Sequence, residues 1–215
     1  NIASAEIGGK RPIEVQKAYI WAPPDFKIDQ AAKIISQARR PIILAGNGVI
    51  RAAATDSLVA FAELLHIPVA TTFMAKGAIP FSHELSLGTV GLKAKDLVSF
   101  GFDKADVVIC VGYDMVEYHP EQWNPDCCSI VHIDALPAEV DEHYIVEVGV
   151  LGEIGEALRA IAWKAKPQTG YRLKPLRHAI VQELSAWAED QAFPVKPQKI
   201  VWDLRQALAP EDIVI

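Results

Sequence analysis

Four places in the sequence put glycine, threonine or carboxylate directly after a short apolar run. Gly46-Asn47-Gly48 follows Pro41–Ala45, Thr71-Thr72 follows Ile67–Ala70, Gly112-Tyr113-Asp114 follows Asp106–Val111, and Asp134 closes Ser129–Ile133. If these runs are strands of an open parallel sheet, their carboxyl ends lie along one edge, and ligands of such sheets sit outside that edge where the strand order reverses. Glycine lets backbone N–H groups approach an anion or a flat ring, and a strand-end carboxylate suits a ribose hydroxyl. Gly46, Asn47, Gly48, Thr71, Thr72, Gly112 and Asp134 are therefore the candidate cofactor-binding residues, with an adenine nucleotide as the ligand class. The dinucleotide fingerprint is incomplete, because Arg51 holds the third glycine position and the second strand ends in Thr71-Thr72 instead of an acid. The same residues also read structurally, as strand-to-helix turns with Asp134 capping the next segment.

Other constellations are weaker. His119, Cys127, Cys128 and His132 share one window, but adjacent cysteines chelate a single tetrahedral ion poorly and a histidine inside a strand alternates with its neighbours. A cysteine nucleophile lacks a strained turn to carry it. Asp134, Glu139, Asp141 and Glu142 read as a solvated acidic turn, and Trp21, Trp123, Trp163, Trp187 and Trp202 are scattered as packing residues. No catalytic residue and no metal ligand is assigned.

The elements that position these residues are legible from periodicity. Residues 1 to 24 carry Gly8-Gly9, Pro12 and Pro23-Pro24 and read as a linker. From Asp25, apolar residues at 28, 31, 32, 35 and 38 predict a helix that Asp25 or Asp29 caps and Pro41 ends. Strand Pro41–Ala45 is apolar at every position, as a strand buried on both faces must be. A helix over 52–66, strand 67–72, a connecting loop over 73–91, a helix near 94–103 and strands 106–112, 129–134 and 144–150 follow. An amphipathic helix runs from Glu153 to Lys164. Strands separated by crossovers imply an α/β fold: a doubly wound, Rossmann-like parallel sheet of about five or six strands with helices on both faces, spanning 25–166. Residues 167–196 read as an interdomain linker with a helix. Residues 197–215 read as the start of another domain, whose helix 198–208 runs into a strand at 212–215.

Composition excludes whole classes. Of 215 residues, 51% are hydrophobic and 22% charged, enough to bury a core. Lys and Arg number 21 against 27 Asp and Glu, net −6, with no basic cluster to track phosphates, so nucleic acid is not expected as a partner. No apolar stretch approaches the roughly 20 residues that span a bilayer, so no membrane is expected. The three cysteines form no disulfide framework, which fits free thiols in the cytoplasm. The sequence reads as a piece of a longer chain.

The segments Arg40–Arg51, Ile67–Pro80, His83–Gly91, Val131–Asp134 and Pro137–Val140 resemble, in order and spacing, the central domain of acetolactate synthase-like thiamine diphosphate enzymes. Residues 1–10 resemble the end of that family's pyrimidine-binding domain, and 197–215 the start of its diphosphate-binding domain. The resemblance implies an enzyme that in its intact form uses thiamine diphosphate and Mg²⁺. It would decarboxylate pyruvate and add the remainder to a second 2-oxoacid, serving branched-chain amino acid or acetoin metabolism. The remaining domains of the same polypeptide are the implied partners, in a homodimer or homotetramer. This chain has none of the catalytic positions and no GDG motif, so it is expected to be inactive alone. Some members bind FAD on the central domain through an arginine after the third strand. Here Gly112–Tyr118 has no arginine and Leu136 replaces an aspartate, departures that argue against FAD, and Tyr113-Asp114, Glu117-Tyr118, Trp123-Asn124 and the stretch Asp134 to Tyr144 resemble the catabolic, FAD-independent synthases. Oxalyl-CoA decarboxylases, which bind ADP at the corresponding place, benzoylformate-type decarboxylases, and a stand-alone adenine-nucleotide module are the alternatives. A sirtuin-like reading fails for want of a C-x-x-C pair.

Overall fold

The computed structural model describes residues 21–91, 96–169, 174–209 and 212–214. Residues 1–20 of the expected 1–24 linker and the start of the helix expected near 94 lie outside the described residues. Six parallel strands form the sheet: β1 (Pro41–Ala45), β2 (Val69–Thr71), β3 (Ser86–Thr89), β4 (Val107–Val111), β5 (Ser129–Asp134) and β6 (Val146–Leu151). Their order is β3-β2-β1-β4-β5-β6, so the chain reverses direction across the sheet between β1 and β4. The doubly wound α/β reading of the sequence is what the structure has.

Alternation within strands divides the core. Ile43 and Ala45 of β1, with Ile109 and Val111 of β4, face the layer of α1 (Asp25–Gln37), α3 (Thr55–Leu65) and α6 (Ile154–Lys164). Ile42 and Leu44, with Val108 and Cys110, face an aromatic-rich layer holding Phe102, Tyr113, Trp123 and Tyr144. Because both faces are covered, β1 and β4 are buried at every position. The helices meet this demand with one apolar stripe each: Ile28, Ala31, Ala32 and Ile35 in α1, and Leu58, Phe61, Ala62 and Leu65 in α3.

Local chemistry sets the helix ends. No side chain caps α1; Pro24 supplies an extended N-cap, Asp25 sits in the first turn, and Asp29 instead takes Lys164 Nζ of α6 at 2.7 Å. Glu153 caps α6 outright, accepting from the Gly155 and Glu156 amides.

Several elements differ from the sequence reading. The stretch over 73–91 is not all loop. It holds a 3-10 turn (Phe73–Ala75) and β3, a four-residue edge strand in which Leu87 is the one large buried side chain. So short a strand carries no periodic signal, and pairing with β2 creates it. A short helix, α2 (Asn47–Arg51), starts inside the glycine turn. Helix α4 (Ser99–Asp103) and α5 (Pro120–Trp123) are single turns. Helix α7 (Lys174–Ser185), within the expected linker, packs Leu176 and Ile180 against the second face of the sheet, and its Arg177 stacks 4.2 Å over the Phe81 ring. Helix α8 (Pro197–Ala207) buries no residue, with Ile200, Val201 and Leu204 exposed. Residues 212–214 form no strand, a correction to the expected 212–215 strand: no strand of this chain pairs with them among the described residues.

Candidate functional site

The carboxyl edge of β1, β2, β4 and β5 is where the expected residues come together. Gly46 leaves β1 with its amide donating to Val111 O (2.9 Å), and Gly48 donates to Gly112 O (2.8 Å), so the turns after β1 and β4 are bonded backbone to backbone. The approach is as close as glycine allows. A Cβ on Gly46 would lie 2.5 Å from Gly112 O, and one on Gly48 would lie 2.5 Å from Gly112 Cα. Gly112 itself sits at φ +58°, the left-handed region that suits glycine, with the backbone of Gly48 and Val49 against its missing side chain.

A carboxylate completes the cluster. Glu117, carried on the segment between β4 and α5, accepts the Asn47 amide at 2.9 Å and 3.2 Å and the hydroxyl of fully buried Thr72 at 2.5 Å. Thr72 is fixed in turn by its own amide, which donates to Ala45 O at 2.9 Å. One charged side chain thus links the ends of β1, β2 and β4 through charge-assisted hydrogen bonds.

The segment bearing Glu117 is anchored from the other side of the sheet. Tyr113 donates its hydroxyl to Tyr118 O, and Trp123 Nε1 donates to Tyr113 Oη at 3.2 Å. The Tyr113 and Trp123 rings meet edge to face at 5.6 Å, and Tyr144 lies against both. Burial pushes the phenols of Tyr113 and Tyr144 and the thiol of Cys110 well up from their ordinary values, and burial raises the Cys128 thiol to about 11. These groups are neutral packing partners at physiological pH.

Of the expected site residues, Gly46, Asn47, Gly48, Thr72 and Gly112 form one cluster. Thr71 turns toward β3, its hydroxyl 3.0 Å from that of Thr89. Asp134 closes its own turn by accepting the Leu136 amide at 3.0 Å. Glu117, which the sequence places only in the run resembling the catabolic synthases, is not among the expected site residues, and no spacing separates it from Asp114 three positions earlier. Asp114 also closes its own turn, accepting the Val116 amide at 2.9 Å.

The histidine and cysteine window disperses. His132 is buried in β5 between Tyr144 Oη (2.9 Å) and Leu136 O (3.0 Å), while His119 lies 3.6 Å from Asp141. Cys110, Cys127 and Cys128 are free, and only Cys127 is exposed. Among the described residues no three His, Cys, Asp or Glu side chains are grouped to hold a metal ion. No described helix is long and apolar enough to cross a membrane.

Residues 28–161 match the family described as thiamine pyrophosphate enzyme, central domain. The chain is 33% identical over 193 residues to a probable acetolactate synthase large subunit of Methanocaldococcus jannaschii, an alignment covering 85% of this chain and 32% of that protein. It is 32% identical over 197 residues to the acetolactate synthase large subunit of Corynebacterium glutamicum, covering 83% of this chain and 30% of that one. An acetolactate synthase of Mycobacterium leprae is 36% identical over 135 residues, 61% of this chain and 21% of that protein. The chain therefore spans about a third or less of the length of these relatives.

Proposed function

The chain belongs to the family of thiamine pyrophosphate enzyme central domains, and from that premise we propose that it is the non-catalytic middle of an acetolactate synthase. The intact protein converts two pyruvate molecules to 2-acetolactate and CO2. The observation that carries this reading is the similarity to acetolactate synthase large subunits across more than four fifths of the chain. Thiamine diphosphate, when bound, supplies the stabilised carbanion chemistry of decarboxylation. The residues described here do something else: they build a rigid sheet from which flanking domains of the same polypeptide are hung. The exposed stripe of Ile200, Val201 and Leu204 on α8 is where the chain asks for such a neighbour.

In this reading the domain carries no flavin, because Gly112–Tyr118 has no arginine to meet a phosphate and Leu136, not an acid, follows β5. The protein acts in the cytoplasm as a homodimer or homotetramer. Three free cysteines support a reducing compartment. The decisive experiment supplies pyruvate, thiamine diphosphate and Mg²⁺ to the intact protein and to this segment separately. Acetolactate should form with the first and not with the second. Turnover by the segment, or a different product from the intact protein, overturns the reading.

A further inference from the structure

An open parallel sheet with this strand order offers a phosphate-bearing ligand one place, the crevice between β1 and β4, and it offers the amides of the turn after β1 as donors. Here every one of those amides is already engaged. Gly46 N donates to Val111 O at 2.9 Å, Asn47 N to Glu117 at 2.9 Å, Gly48 N to Gly112 O at 2.8 Å and Val49 N to Gly46 O at 3.1 Å. The hydroxyl donor at the end of β2, Thr72, is engaged by the same Glu117 carboxylate. The fold's implied nucleotide and the residues present do not fit one another.

We propose that Glu117 is the residue that closes this crevice to phosphorylated ligands: its carboxylate takes the Asn47 and Thr72 donors a phosphate would need and leaves a negative charge in its place. Three features make the carboxylate a fixture of the fold. It reaches donors on two different strand ends, so a rotation away leaves the amide of Asn47 and the hydroxyl of buried Thr72 without a partner. Its segment is short, with the Glu117 amide donating back to Asp114 O at 3.0 Å. Adjacent Tyr118 is locked into the second face by the Tyr113 hydroxyl and by Trp123 Nε1, which lies 3.3 Å from Tyr118 O. An entering phosphate would meet like charge and no free amide in the turn, so charge and the lack of open donors exclude it together.

The inference stands on the crevice geometry and goes beyond the family reading. Nucleotide binding by the chain would overturn it and leave the acetolactate assay unaffected. The test is calorimetry of the full chain with ADP, FAD and inorganic pyrophosphate at millimolar concentration, alongside Glu117→Ala and Glu117→Gln. The unaltered chain should give no heat with any of the three. Glu117→Ala, once its cooperative melt shows it folded, should bind pyrophosphate and ADP at least tenfold more tightly than the detection limit of the unaltered chain. Glu117→Gln, which keeps the shape and drops the charge, should fall between them. Heat from the unaltered chain, or none from a folded Glu117→Ala, overturns the proposal. If neither variant folds, the backbone amide resonance of Asn47 in the unaltered chain decides: it should not move on titration with pyrophosphate, and a saturable shift would show the donor open to anions.

Discussion

Gly48 and Gly112 are packed backbone to backbone: the Gly48 amide donates to Gly112 O at 2.8 Å, and a Cβ on Gly48 would lie 2.5 Å from Gly112 Cα. The turns on either side of the strand-order reversal are thereby joined without any side chain between them. Such an arrangement demands glycine at both ends, which makes it a stability device that substitution exposes at once.

Gly112→Ala should destabilise the chain by about 3 kcal/mol, because a left-handed backbone and an overpacked contact are both penalised. Urea unfolding read by tryptophan fluorescence measures this. A loss below about 1 kcal/mol would mean that the two turns separate easily, against the close packing described here.

His132 and Tyr144 form a pair whose proton positions follow from geometry. Leu136 O can only accept, so His132 Nε2 carries the proton and Nδ1 accepts from the Tyr144 hydroxyl at 2.9 Å. Nitrogen chemical shifts should report the Nε2–H tautomer. Tyr144→Phe should cost about 1–3 kcal/mol by leaving a buried acceptor unpaired, and a chain with the opposite tautomer would refute the assignment.

The thiols should react one at a time. Burial holds Cys110 well above its ordinary value and Cys128 at about 11, whereas Cys127 is exposed. At pH 8 a disulfide reagent should titrate one thiol per folded chain quickly and all three only after denaturation. Two fast thiols in the folded chain would place Cys128 in solvent.

Alkaline pH should destabilise the folded chain. Cys128, Cys110, Tyr113 and Tyr144 all have raised values in the folded state, so their contribution is complete below the ordinary thiol and phenol values of 9.0 and 10.0 and is lost as pH climbs above them. Each group that only the unfolded chain ionises removes about 1.4 kcal/mol per pH unit. The urea midpoint should be flat from pH 7 to 8.5 and fall between pH 9 and 11. An unchanged midpoint at pH 10.5 would show that these groups ionise without unfolding.

What the residues alone determined is the alternation. Pro41–Ala45 and Val107–Val111 are apolar runs too short for helices, Ser129–Asp134 keeps Ile130, Val131 and Ile133 between polar ends, and the stripes of α1, α3 and α6 repeat at helical spacing, so the sheet and its layers follow from local pattern and burial on both faces. The glycines at 46, 48 and 112 were legible as special positions for the same reason, since turns at strand ends are local events. Tertiary structure decided what those positions do. β3 exists because β2 presents an unpaired edge, not because Ser86–Thr89 has a pattern. Glu117 meets Asn47 across 70 residues of sequence and Thr72 across 45, and no spacing rule connects them. Asp114, the other carboxylate of that segment, closed its own turn instead, and the choice between the two was made by the aromatic packing of Tyr113, Tyr118 and Trp123. Backbone periodicity is encoded within a dozen residues. The partner of a charged side chain is fixed only when the sheet has brought the distant turns together, here close enough for a 2.9 Å hydrogen bond from the Asn47 amide to Glu117.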